Sequence, residues 1–472
     1  MNPFEHQIVT TLAPLGFFAA DRPIWVTRAP GRLDVLGGNV DYTGGLVLQS
    51  LLREAVWVAV QPRTDDVIRV LNPGAGCLGW ASFVECSLSS LKDIPAVRSF
   101  CSQPENARWV IHVLGCIYLL KSGLCCGSAA GADIFISSDL PPNKGVSSSA
   151  ALEVAALKAL SSAWGSSLAG VALATSAQWV ENAVVGAACG IMDQAAIVLG
   201  QEDCLLPLLC QPCLPGPPVR WPAGIGVWGV DSMVPRSTTG AAYETARAAA
   251  FIGYKLICQH EGIEVVEDKG SEISRFTDAR WNGYLSNLSV SEFRSRYERI
   301  LPESLTGSEF RARGVEHADP FTTIDPRTEY PVRAAVRYAT EQNLRGQIVK
   351  TLLESNSASG SDNQLQLIGE MFLQSHVAYA DCGLGSEACD ELVSRALNAG
   401  FPGAKMTGGG AGGVVAILGR SNAESRYAIQ RLAQEYGASR GAMPHIFEGS
   451  STGVDAFGIQ TIHLSGTHAA SL

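Results

Sequence analysis

The chain has 472 residues, 46% of them hydrophobic, with 35 basic against 45 acidic side chains for a net charge of −10. That length predicts about two or three domains with sizeable cores, and an acidic balance without any block of like charge argues against a nucleic-acid surface or an anionic membrane as partner. No run reaches the ~20 apolar residues that span a bilayer; the best candidate, Trp109 to Leu120, is too short and carries His112.

At the start, the apolar stretch Leu15 to Ala20 follows Glu5 and His6, where a secretory signal has basic residues, so a cytoplasmic protein is expected. The 13 cysteines are odd in number and sit in apolar context, as at Cys116 and Cys189, which fits reduced thiols. Cys210 and Cys213 form one C-x-x-C, with no second pair and no His pair to complete a zinc site.

From Ile24 the alternation of Trp25 and Thr27 with Ile24 and Val26 predicts a strand that Pro30-Gly31 ends. A turn-rich loop is expected next, holding Arg32, Asp34, Asn39 and Asp41 among glycines. One cation with carboxylate and amide groups suits hydroxyl recognition better than phosphate, and a plain polar surface loop fits the same residues. Ala55 to Val60 and Val67 to Leu71 read as strands joined by a turn at Pro62 to Asp66. Arg108 to Leu120 reads as a helix whose Trp109 suits core packing and also suits stacking on a purine.

The stretch from Asp139 to Leu160 reads strand, loop, helix: the apolar run Ile134 to Ile136 stops, Pro141 and Pro142 turn the chain, and three serines lead into an Ala- and Leu-rich segment. Unpaired N–H groups at a helix N-terminus, with the Lys144 cation and the hydroxyls of Ser147, Ser148 and Ser149, suit a polyphosphate. A serine-rich N-cap is the ordinary alternative. The order of lysine and serines is not that of G-x-x-x-x-G-K-[ST].

Leu173 to Val185 has helical spacing and carries Glu181, and the turn G-A-A-C-G-I-M-D-Q sets Asp193 at the start of another apolar segment. Carboxylates in such surroundings are costly without a cation or donor. An ion pair and an N-cap would satisfy them; beside an anion loop, a metal ligand and a catalytic carboxylate are the stronger reading. The proline-dense Leu209 to Pro222 is the candidate domain junction, and Ile225 to Val230 resumes as a strand ending in Asp231-Ser232. A helix from about Ala241 carries Tyr243 and Arg247 on one face.

Ser271 to Arg345 is the least readable part: Ser289 with Glu292 forms a possible capping box opening a helix to about Arg299, Glu316 to Pro331 looks like a loop, and the whole fits a lid or surface insertion with no chemistry assigned. In Gly403 to Leu418 the clustered glycines imply backbone approaching a ligand or another loop, followed by the strand Val414 to Leu418.

Three of these stretches, in order and at matching separation, carry one resemblance. G-R-L-D-V-L-G-G-N-V-D-Y-T-G-G resembles the N-terminal signature of galactokinases, P-P-N-K-G-V-S-S-S-A-A-L-E-V-A the phosphate loop of the GHMP kinase superfamily, and K-M-T-G-G-G-A-G-G its third motif. The resemblance implies an α+β, two-domain GHMP kinase fold: residues 1–215 similar to ribosomal protein S5 domain 2, residues 216–472 ferredoxin-like with an insertion near 271–345, and the site between them. It implies ATP and Mg²⁺, and a sugar rather than a nucleic acid or membrane as partner, in a monomer or weak homodimer.

By the same resemblance Asp193 is the catalytic aspartate and Arg32 the arginine beside the reacting hydroxyl, while Glu181 with Ser149, or Ser148 in its place, holds the metal. Asp41 and Tyr243 match sugar-binding positions, with Asp34, Gly38, Asn39 and Gly190 beside them. The nucleotide set is Trp109, Pro142, Asn143, Lys144, Gly145, Val146, Ser147, Ser148, Ser149 and Gly409.

Gly38-Asn39 stands where galactokinases usually have Glu-His, whose glutamate holds the sugar's 6-hydroxyl. Losing it suits L-arabinopyranose, which has galactose ring stereochemistry without C6, because a buried carboxylate without its partner is left unsatisfied. R-A-P-G-R-L-D-V-L-G-G, V-E-N-A-V-V-G-A-A-C-G-I-M-D-Q and D-C-G-L-G-S-E resemble the kinase part of plant-type L-arabinokinases, which carry a further N-terminal domain; here the kinase module is expected to stand alone. The expected function is an L-arabinose 1-kinase, with a galactokinase, a uronic-acid 1-kinase or a non-catalytic sugar sensor as alternatives.

Overall fold

The computed structural model describes residues 3–103, 108–123, 125, 129–235, 240–268, 275–355 and 361–464. Residues 271–274 of the expected insertion and 465–472 of the expected second domain lie outside the described residues.

Two sheets organise the chain. The larger has nine strands, and its path runs Gln460–Ile462, Ile24–Leu36, Leu46–Pro62, Ala132–Ser138, Val67–Leu71, Phe83–Ser87, with Cys204–Leu209 pairing the first part of Leu46–Pro62. The strands Leu46–Pro62 and Val67–Leu71 are not neighbours: Ala132–Ser138 lies between them, antiparallel to the first and parallel to the second. The smaller sheet has four strands, ordered Gly403–Met406, Val414–Arg420, Ile225–Asp231, Ile446–Phe447. The expected division at residue 215 falls between Leu214–Pro215 and Val219–Arg220, both of which pair with Cys204–Leu209, and the strand Gln460–Ile462 returns to the larger sheet.

The first strand corrects the expectation that Pro30-Gly31 ends it. It continues to Leu36, with register shifts between Pro30 and Arg32 and again between Asp34 and Leu36. A bulge accommodates proline, which has no N–H to give a ladder, and the Arg32 N–H bonds the Val146 carbonyl at 3.1 Å instead. A side chain at Gly31 would meet Leu140 Cδ1 at 2.5 Å, so the serine loop lies directly on this bulge. Arg32 and Asp34 are therefore strand residues, held more rigidly than loop residues.

The helix Ser148–Ala163 packs on the two longest strands and is buried on nearly every side, which its small Ala-rich sequence permits. Gly170–Trp179 continues as a π-helical turn, Val180–Val185, and Asp193 stands in the first turn of Met192–Leu199. One large core runs through both sheets. A second core joins the helix Ala241–Glu261 to Trp281, Phe293, Tyr297, Phe310 and Val332, so the segment expected as a lid or surface insertion has an interior of its own. Ser289 does cap its short helix, accepting from Glu292 N–H at 3.2 Å, while the Glu292 carboxylate pairs with Arg280 and Arg296; the reciprocal capping box forms at Thr306 and Glu309.

Candidate active site

The serine loop is shaped by its backbone. Asn143, Gly145 and Ser147 have φ of 59°, 73° and 63°, alternate left-handed residues of the kind that turn successive N–H groups to one side. The loop runs into the N-terminus of Ser148–Ala163, where unpaired N–H groups add to the positive end of the helix dipole. Ser147 Oγ is buried without a partner among the described residues, a donor that an anion loop can use. The Lys144 ammonium bonds Asp231 Oδ2 at 2.8 Å, at the end of a strand in the smaller sheet. The glycine loop rests on the serine loop: a Cβ at Gly413 would lie 2.6 Å from the Lys144 carbonyl.

Arg32 joins this loop to the first carboxylate. Its Nε donates to Asp193 Oδ1 at 2.8 Å and a terminal nitrogen reaches the same oxygen at 2.7 Å, while Nη1 donates to the Gly145 carbonyl at 2.7 Å. Arg32 is 1% exposed and the Asp193 side chain 19%, so the guanidinium is fixed and the carboxylate keeps some access to solvent.

Ser149, one residue further along the helix, donates to Glu181 Oε1 at 2.9 Å, and Gln194 donates to Oε2 at 2.6 Å. Burial first, and then the neighbouring charges of Glu153 and Asp193, push the Glu181 carboxyl up to about 8, against the lowering effects of His112 and Ser149. A carboxyl so short of positive charge, paired with a hydroxyl, is a hard-oxygen donor set that fits Mg²⁺. Among the described residues no three His, Cys, Asp or Glu side chains are arranged to hold a metal. Sequence reasoning missed Glu153, fully buried four residues after Ser149 and bonded to His112 Nδ1 at 2.7 Å. The i, i+4 spacing from Ser149 was the available signal. Burial holds Glu153 well above the usual carboxylate range and His112 below the usual imidazole one.

Asp41 and Gly190 meet on the wall of a cavity of about 380 Å³. Any side chain at 190 would strike the Asp41 carboxylate, with Cβ 2.0 Å from Oδ2. Burial, then the charge of Asp193, raise the Asp41 carboxyl to about 6, while Arg247 and the N–H groups of Tyr42 and Met192 act in the opposite sense. Tyr243 is buried behind, its ring edge-on to Tyr42 at 6.0 Å. The other side of the cavity comes from the segment to which the sequence assigned no chemistry, through Phe276, Tyr284, Asp319 and Phe321.

Asp34, Gly38 and Asn39 gather elsewhere. Asp34 Oδ2 accepts from Lys405 at 3.0 Å and from the Gly38 N–H at 3.1 Å, and Oδ1 accepts from Gln49 at 2.7 Å, all fully buried or nearly so. Both carboxylate oxygens thus already have donors, in a buried ion pair between the two sheets. A Cβ at Gly38 would lie 2.1 Å from Tyr379 Oη and 2.6 Å from the Gly408 carbonyl. Glycine is required at 38 by this packing, and the Tyr338 hydroxyl donates to its carbonyl at 2.5 Å. Asn39, with φ of 61°, donates to the Gly409 carbonyl at 3.2 Å and keeps a buried Oδ1 without a partner among the described residues. Trp109 packs in the large core with its N–H given to the Ala81 carbonyl at 3.1 Å.

Known proteins are similar to this chain in sequence and in fold. The family model described as GHMP kinases N terminal domain matches residues 112–201, and the one described as galactokinase galactose-binding signature matches residues 17–62. L-arabinokinase of Arabidopsis thaliana is 35% identical over 94% of this chain and 47% of its own length, so the chain spans about half of that relative. A galactokinase of Chloroflexus aurantiacus is 29% identical over 88% of each chain. In fold, the chain is similar to Lactococcus lactis galactokinase complexed with galactose, with a TM-score of 0.70 at 21% identity over 93% of this chain and 95% of that one. It is also similar to Methanococcus jannaschii mevalonate kinase, with a TM-score of 0.56 at 14% identity over 89% and 96%.

Proposed function

The chain has the α+β, two-domain fold of the GHMP kinase superfamily with galactokinase-like signatures, and from that premise we propose that it transfers the γ-phosphoryl group of ATP to the anomeric hydroxyl of a sugar, L-arabinose before galactose. The observation that carries the reading is the Arg32 guanidinium, which spans from the Asp193 carboxylate to the Gly145 carbonyl of the serine loop. It sets a carboxylate able to orient a hydroxyl beside a loop able to hold phosphates.

In this reading the sugar lies against Asp41 and Gly190, and Asp193 orients the 1-hydroxyl and accepts its proton. Arg32 offsets charge at the reacting centre, and positioning carries most of the rate, as expected of a loose phosphoryl-transfer transition state. The loop N–H groups and Ser147 receive phosphate oxygens, and Lys144 exchanges Asp231 for phosphate. Ser149 and Glu181 would hold Mg²⁺, which would supply charge neutralisation for the phosphates.

Preference for L-arabinose rests on the 35% identity to the plant enzyme. The glycine at 38 adds no weight to it, because packing against Tyr379 already requires glycine there. The galactose-binding signature match over residues 17–62 favours galactose as the second reading. ADP release by the purified protein with Mg·ATP, comparing L-arabinose, D-galactose and D-glucuronate at matched concentrations, tests the reading. Turnover of the pentose above the hexose is expected, and no turnover with any sugar overturns it.

A further inference from the structure

Among the described residues, the charged ones lining the cavity are Asp41, Arg247 and Asp319. Arg247 and Asp319 form a two-point clasp: Nε to Oδ2 and Nη2 to Oδ1, both at 2.8 Å, with both partners buried. The aspartate is itself held, by the Thr322 hydroxyl at 2.7 Å and the Phe321 N–H at 3.3 Å. The guanidinium lies over the rings of Tyr42, Phe321 and Phe251, at 5.0, 5.3 and 5.7 Å, and its Nη1 reaches the Ala188 carbonyl at 3.3 Å. Three of its five N–H bonds thus have acceptors among the described residues, and it keeps donor capacity on a cavity that it lines.

We propose that the Asp319–Arg247 clasp makes this cavity selective for neutral sugars over sugar acids, with Arg247 donating to a sugar hydroxyl across from the Asp41 acceptor. The inference rests on the sugar-kinase reading above and names the substrate class of that site. An unpaired arginine in an aromatic-walled cavity would bind a carboxylate with two parallel bonds. Here Asp319 already takes that two-point face, and among the described residues one cation against two carboxylates leaves the wall with a net charge of minus one. Among the described residues, a uronate entering would meet Asp41 with no free cation on the wall to offset it, whereas a neutral pyranose meets an acceptor, a donor and aromatic faces. Selectivity comes as much from the repulsive element as from the attractive ones. The segment after Ser271 therefore acts as a specificity wall, and Asp319 is a positioning residue that works through Arg247.

D-Galactose and D-galacturonate differ only at C6, and their binding by the full chain, measured by calorimetry without nucleotide, isolates the charge effect. The wild-type protein is expected to bind galactose about 10-fold or more tighter than galacturonate. In Asp319→Asn the released arginine should weaken galactose and strengthen galacturonate, moving the ratio about 10-fold or more toward the acid. A wild-type ratio within about threefold, or an unmoved ratio in a folded Asp319→Asn, overturns the inference while leaving the kinase reading intact. If that variant does not fold, the wild-type ratio alone decides. Failure of the wild-type protein to bind or phosphorylate L-arabinose, galactose or galacturonate overturns the kinase reading and this inference together.

Discussion

The two halves of the candidate site are built from different materials. Where the glycine loop meets the serine loop and the turn after the first strand, contact is largely backbone on backbone: Gly413 against the Lys144 carbonyl, and Gly38 against the Gly408 carbonyl. Across the sugar cavity the contacts are side chains brought from distant segments, with Arg247 held by Asp319 and ringed by Tyr42, Phe251 and Phe321. At its backbone crossings the first half has no room for added atoms; the second is set by buried charge. Substitutions should therefore separate nucleotide handling from sugar recognition, with Arg32 and Asp193 at the seam.

The largest effect is expected at that seam. Asp193→Asn keeps the shape and removes the proton acceptor, so kcat should fall on the order of 10³–10⁴-fold, about 4–5.5 kcal/mol of barrier. Nucleotide affinity, measured by titration, should stay within a few-fold of wild type. Equal losses in both would break the comparison by showing that the halves are one unit.

Next is the buried pair beneath the seam. Asp34 and Lys405 are fully buried and 3.0 Å apart, and Lys405→Ala would leave an uncompensated carboxylate between the two sheets. Breaking such a pair costs about 3–5 kcal/mol, readable as a drop in the denaturant midpoint. Unchanged stability would mean that the sheets are not coupled there.

A smaller loss tests the backbone crossing. Gly413 has φ of 87°, and an added Cβ would stand 2.6 Å from the Lys144 carbonyl, an atom that cannot turn aside. Gly413→Ala should cost about 1–3 kcal/mol and raise KM for ATP more than KM for sugar. The reverse order would assign the crossing to the sugar side.

The same division explains what the sequence made legible. The helix carrying Glu181 and the turn that sets Asp193 at the start of a helix were readable because helical period and a glycine-broken turn are local signals, whereas pairing Glu181 with Ser149 came only from the resemblance. Asp34 was grouped with sugar-binding residues because its partner Lys405 is 371 residues away, and nothing in the spacing joins them. The strand through Pro30-Gly31 was cut short because its missing ladder bond is supplied by Val146, from another segment. The stretch after Ser271 gave no period at all; its aromatic residues pack a separate core, and its contribution to the cavity, Asp319, becomes visible only beside Arg247.

The smallest predicted effect is graded and works on the cavity side alone. Burial places the Asp41 carboxyl at about 6 in the folded chain against an ordinary 3.8. Because the folded value is the higher one, this group's contribution to stability is fully present below 3.8 and is lost as pH rises through 6. Recognition runs the other way, since only the ionised form accepts a hydroxyl proton without donating one. Sugar affinity without nucleotide should therefore be level above pH ~6 and weaken by up to about tenfold per unit below it, while the fold itself gains from Asp41 over the same range. Calorimetric titration of L-arabinose or D-galactose from pH 5 to 8 checks this, and Asp41→Asn should remove the inflection along with most of the affinity. A curve with no inflection near 6 in the wild-type protein would place the sugar's acceptor on another residue, and would move the side-chain half of the site away from this cavity.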